Sequence, residues 1–387
     1  MNILYLDPFH GGSHAAVAEG YARHSQHDIT LLTLSIAGGW RWRMRGASVT
    51  LARRLREHMR KQPTRFDMII ATDMFDLAAF LGLTRDLTAG VHVALYFHEN
   101  QLTYPLPPGR ARDLAFPWLN YTSALVADAL CFNSDFHRHA FLEALPGLLG
   151  RFHDHQELDL IDQLAAKARV LSPGIDLARL DAAEDGGRRI GDGSLNSPHP
   201  PFPIPRLPII LWNSRWEYDK GPQAFFDALR ELVARGIDFR VIVAGEHIDP
   251  NEPHFLAARE WLGPRVLAWG YAPDLAAYRA MLWQSDIVVS TAIQEFFGIS
   301  VIEAIYCGCV PVLPRRLSYP ELLPAEHHDA CLYADDGELA DRLVATMRDL
   351  PALKQRDFRA LAQQYDWSLM APRWDALFEG LSNWVTG

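Results

Sequence analysis

Short apolar runs alternate along this chain with helix-length amphipathic segments, and no other feature restricts its fold so tightly. In the first half the runs are Ile3 to Leu6, Ile29 to Leu34, Met68 to Ala71, Val91 to Phe97 and Ala129 to Phe132; in the second they are Ile209 to Trp212, Phe239 to Ala244, Val266 to Trp269, Ile287 to Ser290 and Val310 to Leu313. A short apolar run, a helix and another run is the pattern of βα units building a parallel sheet. A single core stops growing at roughly 250 to 300 residues. A chain of 387 residues with two such series is therefore predicted to form two doubly wound parallel-sheet domains, an α/β fold, rather than one large sheet. The predicted division is a first domain at 1–180, a connection at 181–208, a second domain at 209–366, and an aromatic amphipathic helix at 367–387 that packs back on the first domain.

In the connection, DAAEDGGRRIGDGSLNSPHPPFPIPRLP, Gly, Pro, Asp and Ser displace every periodic apolar pattern. It reads as an interdomain linker, either a hinge or a tolerated insertion. Over the whole chain, 49% hydrophobic and 22% charged residues support a large core and exclude wholesale disorder. Four irregularly spaced cysteines, Cys131, Cys307, Cys309 and Cys331, do not make a disulfide scaffold. Cys307-x-Cys309 is too tight for a zinc half-site and reads as core, and His137-x-His139 and His153-x-His155 read as surface histidines. The N-terminus MNILYLDPFHGG carries no secretory signal pattern, and no apolar run approaches the ~18 residues of a membrane span. The expected setting is the cytoplasm, without membrane association.

Open parallel sheets take ligands at the carboxyl ends of their strands, and four post-strand loops stand out. In FHGGSH, Gly11 and Gly12 let backbone N–H groups approach an anion at a helix start, flanked by His10 and His14. The third glycine of a dinucleotide fingerprint is absent, so NAD or FAD is not supported; a plain tight turn is the alternative. In HENQLTYP, His98, Glu99, Asn100 and Gln101 supply four hydrogen-bonding groups at the mouth of a strand, suited to a polyhydroxylated ligand, or else to fixing the loop. In WNSRWEYDKGP, Arg215 and Lys220 are suited to clamping a diphosphate, moderated by Glu217 and Asp219; a merely solvated pair is the alternative. The strongest is Glu295-Phe296-Phe297-Gly298-Ile299-Ser300-Val301-Ile302-Glu303. Gly298 and its neighbours Phe297 and Ile299 would open a helix whose N–H groups face a phosphate, while Glu295 and Glu303 can hold sugar and ribose hydroxyls; the alternative is a capped helix with one surface carboxylate.

Taken together, these elements resemble the GT-B retaining glycosyltransferases of family 4. More specifically, NILYLDPFHGGSH, GGWRWRMRG, FHENQLTYP, RWEYDKGP, STAIQEFFGISVIEAIYCGCVPVLP and SYPELLPAE are similar to the tRNA-queuosine mannosyltransferases over nearly the whole chain outside the connection. The resemblance implies two Rossmann-like domains facing each other across a cleft, the first binding acceptor and the second a nucleotide sugar. It implies transfer of mannose, with retention, from GDP-mannose to the cyclopentene diol of queuosine at the wobble position in the anticodon stem-loop of tRNA for aspartate. By the same resemblance Arg215 and Lys220 match the diphosphate pair, Glu295 the residue holding the donor sugar, Glu303 the one holding its ribose, and His98 a histidine near the reacting sugar. Ser214 stands where the family has Gly, and Asp219 where it has Glu.

Glycosyl transfer develops oxocarbenium character at the anomeric carbon and negative charge on the leaving diphosphate. Arg215, Lys220 and the helix start at Gly298 are the groups to stabilise it. No Asp-x-Asp motif lies in a post-strand loop, so no metal and no further cofactor are expected, and no residue reads as a separate nucleophile.

A net charge of −10 argues on the sum against a nucleic-acid partner, yet residues 40–65 hold nine Arg or Lys against one acid, Glu57. Trp40 and Trp42 interleave there with Arg41, Arg43 and Arg45, a pattern that can neutralise phosphates and stack unpaired bases. The alternative is a solvated basic helix with its tryptophans in the core. Two other functional classes stay open: a GT-B enzyme acting on a small molecule, lipid or glycan, and a non-catalytic sugar-nucleotide or RNA-binding protein. Oligomeric state is not legible.

Overall fold

The structure, a computed structural model, describes residues 1–37, 39–106, 109–181, 207–246 and 253–383. Most of the connection read at 181–208, from 182 to 206, lies outside the described residues. The chain divides into two compact units, Met1–Asp176 with Tyr365–Gly387, and Leu177–Gln364.

Among the described residues each unit carries a six-stranded sheet in which every pairing is parallel. In the first, β1 (Asn2–His10), β2 (Asp28–Ser35), β3 (Met68–Thr72), β4 (His92–Phe97), β5 (Ala129–Phe132) and β6 (Ala168–Val170) lie in the order β2-β1-β3-β4-β5-β6. In the second, β7 (Ile209–Asn213), β8 (Arg240–Ala244), β9 (Val266–Gly270), β10 (Ile287–Val289), β11 (Val310–Pro314) and β12 (Leu332–Tyr333) lie in the order β12-β11-β10-β7-β8-β9. The two orders are the flavodoxin-like and the Rossmann variants of one doubly wound plan, with strand order reversing at β1/β3 and at β7/β10. All ten apolar runs form strands. β6 and β12, of three and two residues, are too short to show a run.

The strands are apolar throughout because both sheet faces are covered. Ile3, Tyr5, Met68, Ile70, Ala94 and Tyr96 pack with Val17, Tyr21, Trp367, Trp374 and Phe378 on one face. Leu4, Leu6, Ile69, Ala71, Leu95 and Phe97 pack with Leu51, Leu55, Phe80 and Phe141 on the other. The helix Trp367–Asn383 belongs to the first unit: the Tyr21 hydroxyl donates to Asp375 Oδ1 at 2.8 Å, and Trp374 Nε1 donates to the Ser172 carbonyl at 2.9 Å. Gly20 and Gly174 admit the Trp367 indole, which a Cβ on either would strike at 2.0 and 2.2 Å.

All four cysteines are buried free thiols, and burial pushes those of Cys131 and Cys307 up to about 12. His137 is not a surface histidine. It is fully buried edge-on to Phe97 and Phe132, with Nδ1 2.7 Å from Asn133 Oδ1. Among the described residues no helix is long and apolar enough to cross a membrane.

Candidate active site

FHGGSH is hardly a loop. β1 runs on to His10, and the helix Gly12–His24 begins after Gly11 alone. This places His10 and His14 around Asp7, a fully buried carboxylate that the sequence reading passed over. Asp7 Oδ2 lies 2.8 Å from His10 Nδ1, Oδ1 accepts the Phe9 N–H at 3.1 Å, and Oδ1 lies 3.7 Å from His14 Nδ1. The last distance is a charge contact rather than a hydrogen bond. Burial opposes ionisation of Asp7, but the two histidines outweigh it and hold the carboxyl well below the usual range. Conversely, the Asp7 hydrogen bond raises His10, whose Nε2 also meets Glu19 at 3.0 Å; burial works against a charge on His14, and Asp7 overcomes it.

The His14 ring stacks on His98 at the end of β4. Burial, and then the charge on His14, push His98 well below its ordinary value, and its Nε2 is a buried nitrogen with no hydrogen-bond partner among the described residues. The His98 N–H donates to Asp73 Oδ1 at 2.9 Å, and its carbonyl accepts from Asn133 Nδ2 at 3.0 Å. Asp73, also missed, is fully buried after β3, and burial pushes its carboxyl up to about 7. Asn120 ties the loop down, donating to the Asp73 carbonyl and accepting the Gln101 N–H.

Of the four HENQ groups, Asn100 is turned inward. Its Oδ1 accepts from the N–H groups of Leu102 and Thr103 and the Thr103 hydroxyl, so its oxygen builds the turn. Gln101, also buried, donates through Nε2 to Glu99 Oε1 at 2.7 Å. Glu99 and His98 are the partly exposed members.

The WRWRMR segment opens the helix Trp40–Lys61. Trp40 packs on Phe116, Arg41 lies over the Trp40 ring, and Trp42 is 64% exposed. Arg43 donates to the carbonyls of Ser35 and Ala37, while Arg45 pairs with Asp113 at 2.7 Å above Phe116. Phe9 joins the two groups, meeting the His14 ring edge-on and packing against the Met44, Met74 and Phe116 cluster.

In the second unit the loops after β7 and β10 are sewn together. The N–H groups of Ile293 and Gln294 donate to the Asp219 carbonyl, and the Thr291 hydroxyl donates to the Lys220 carbonyl. Gly221, with φ of 59°, passes so close that a Cβ would lie 2.2 Å from the Thr291 carbonyl oxygen, which restricts the position to glycine. Lys220 is thereby buried between carboxylates. Its Nζ lies 3.2 Å from Asp219 Oδ2 and 3.3 Å from Glu295 Oε2, and donates to the Gln294 carbonyl at 3.0 Å. Burial alone would depress the ammonium; Glu295 and Asp219 more than offset it. Arg215 is half exposed and pairs with Glu217 at 3.2 Å.

Glu295 Oε1 also accepts the Phe297 N–H at 3.3 Å, and Ser318 donates to the carbonyls of Glu295 and Phe297. Gly298 caps the helix Ile299–Tyr306, and Glu303 within it is only 4% exposed. Arg215, Lys220, Glu295, Phe297 and Gly298 thus fall on adjoining loops at the β7/β10 reversal, with Ile299 and Glu303 in the helix that follows. The first unit brings together His10, His14 and His98, with Gly11 and Gly12 at the adjoining helix start.

Residues 2–175 match the family described as tRNA-queuosine alpha-mannosyltransferase N-terminal, and residues 207–349 match Glycosyl transferases group 1. The tRNA-queuosine alpha-mannosyltransferase of Drosophila melanogaster is 32% identical over 92% of this chain and 90% of that protein. The GDP-mannose:cellobiosyl-diphosphopolyprenol alpha-mannosyltransferase of Xanthomonas oryzae is 26% identical over 43% of this chain and 45% of its own. A solved glycosyltransferase from Rickettsia africae superposes with a TM-score of 0.66 at 16% identity, covering 99% of this chain and 98% of that one; this likeness bears on the fold, which is GT-B. By its match over nearly its full length, the chain belongs to the tRNA-queuosine alpha-mannosyltransferase family of glycosyltransferases.

Proposed function

We propose that this protein transfers mannose, with retention, from GDP-mannose to the cyclopentene diol of queuosine at the wobble position of tRNA for aspartate, in the cytoplasm. The observation that carries the reading is the donor-type group in the second unit, where a buried lysine, an exposed arginine and two glutamates gather at the strand-order reversal of a chain of this family. The second unit holds the donor. Arg215, Lys220 and the backbone at Phe297, Gly298 and Ile299 meet the diphosphate, Glu295 the sugar, and Glu303 the ribose. The first unit holds the acceptor through His10, His14, Glu99 and Gln101, with Asn100 fixing their loop, Gly11 and Gly12 offering N–H groups to the donor, and His98 beside the reacting sugar.

As the glycosidic bond to the diphosphate breaks, negative charge grows on the leaving oxygen, and Arg215 and Lys220 stabilise it. This leaves no role that requires a metal ion. The acceptor hydroxyl attacks on the face the diphosphate leaves, and a diphosphate oxygen takes its proton. Glu295 is engaged with Lys220 and the Phe297 N–H and is not assigned as nucleophile.

Arg41, Arg43 and Arg45 stand at the positive end of a 22-residue helix whose first turn has no acid. That arrangement is unfavourable for the helix itself and favourable for a polyanion, which supports tRNA as partner. Incubation of the protein with queuosine-containing tRNA and, separately, GDP- and UDP-sugars, followed by nucleoside mass analysis, tests the reading. A hexose added from GDP-mannose alone is expected; no addition, or addition from a UDP-sugar, refutes it.

A further inference from the structure

Glu303 is buried, yet each of its oxygens already has a donor. Oε2 accepts the Tyr278 hydroxyl at 2.6 Å, and Oε1 accepts Arg179 at 2.5 Å. The direction of the first bond is determined. Asn213 Nδ2 donates to the Ser300 carbonyl at 3.3 Å, which can only accept, and so orients the amide; the same nitrogen donates to the Tyr278 hydroxyl at 2.8 Å. With its lone pair occupied, Tyr278 gives its proton to Glu303. Burial and the Glu303 charge push the tyrosine well above its ordinary value, so it remains a donor.

Arg179 is equally anchored. Its carbonyl accepts from Arg279, the next carbonyl accepts from Trp283 Nε1 at 2.8 Å, and the Asp181 carboxylate accepts from Tyr306 at 3.0 Å and Arg359 at 2.7 Å. Residues 178–181 are therefore stapled to the helices Leu275–Gln284 and Ile299–Tyr306 as well as to Arg359. A carboxylate offers about four acceptor positions. Two are taken, one on each oxygen, so each oxygen keeps a position for one further donor, the number that a pair of ribose hydroxyls supplies.

We propose that Tyr278 and Arg179 are positioning residues that hold Glu303 in the orientation that accepts both ribose hydroxyls of the donor, and so make binding depend on the ribose 2′-hydroxyl. This rests on the reading of Glu303 as the ribose-holding residue. Tyr278→Phe deletes one oxygen from the chain and keeps the ring, while Arg179→Met alters a partly exposed side chain.

Calorimetric titration of the full-length protein with GDP and with 2′-deoxy-GDP tests both statements. The native protein is expected to prefer GDP by about tenfold or more, the value of a hydrogen bond to a charged group. Tyr278→Phe and Arg179→Met are each expected to weaken GDP about tenfold and to narrow that preference. They should raise KM for GDP-mannose while leaving kcat at saturating donor nearly unchanged, and Arg179→Lys should recover part of the loss. GDP bound by both variants with native affinity and native preference overturns the positioning roles. Unchanged GDP binding by Glu303→Gln overturns instead the ribose assignment beneath them.

Discussion

The rings of His14 and His98 lie stacked, their centroids 3.9 Å apart and their planes 28° from parallel. Two imidazolium ions cannot share that distance, and Asp7 beside His14 decides which ring carries the charge. His98 is left neutral. Burial is the larger cause, His14 and then His137 act in the same sense, and Asp7 opposes them. Asp73 and Glu99 also face the pair, both favouring a charge on His14. Replacing His14 by Gln removes the nearest cation, so His98 should protonate at higher pH. The acid limb of the kcat/KM profile is expected to move to higher pH. An acid limb that stays put in His14→Gln would show that the stack does not set the charge state of His98.

Asp73 sets a second pH dependence. Its carboxyl is raised to about 7 by burial, so the folded state holds the proton more tightly than the unfolded one. The stability it contributes is complete below the ordinary carboxylate range and is lost as pH rises through about 7. Asn at this position keeps the acceptor for the His98 N–H and has nothing to ionise. Relative to Asp73→Asn, the native protein should lose on the order of 3 kcal/mol between pH 4 and 8. Denaturant unfolding at both pH values checks this, and parallel curves for the two proteins would refute it.

Why these carboxylates escaped the sequence reading is a matter of their context. Asp7 interrupts LYLDPF and Asp73 follows IIAT, so each looks like the polar stop that ends an apolar strand. An unpaired charge at the mouth of a buried strand is costly, and an acid one step past such a run was the available signal. The strands themselves were legible because both sheet faces demand apolar side chains. The Glu295 and Lys220 loops were legible because each carries its own local motif directly after a strand, and parallel sheets gather such loops at one edge. Glu303 with Arg179 was not, since its partner lies 124 residues away, and no periodicity reports a contact of that range.

Lys220 separates Asp219 and Glu295. Lys220→Met would leave two carboxylates facing each other without a cation and remove the diphosphate contact proposed for Lys220. A loss of about 3 kcal/mol of stability is expected together with loss of transfer. Glu295→Ala leaves Lys220 paired with Asp219, so it is expected to abolish transfer while retaining fold and tRNA affinity, because its loop belongs to the second unit. Thermal melting and tRNA binding of the two variants separate the cases. Transfer by the native protein should also survive a chelator, since the leaving-group charge is met by side chains; abolition by chelation, restored by a divalent ion, would refute that account.

The basic helix separates contact residues from structural ones. Trp42 is 64% exposed and lies over Gly46, where a Cβ would come within 2.8 Å of its ring, so one face of the indole is supported and the other is free to stack. Arg43 instead closes the preceding turn through the Ser35 and Ala37 carbonyls. Trp42→Ala should therefore weaken tRNA binding by about 1–3 kcal/mol, the value of one base stack, with stability changed by less than about 0.5 kcal/mol. Arg43→Ala should lower stability as well. Arg41→Ala should leave stability alone and reduce the salt dependence of tRNA binding by about one phosphate contact. Filter binding across a salt series, with melting of the same variants, reads all three. Native tRNA affinity in Trp42→Ala would move the RNA surface away from this helix start.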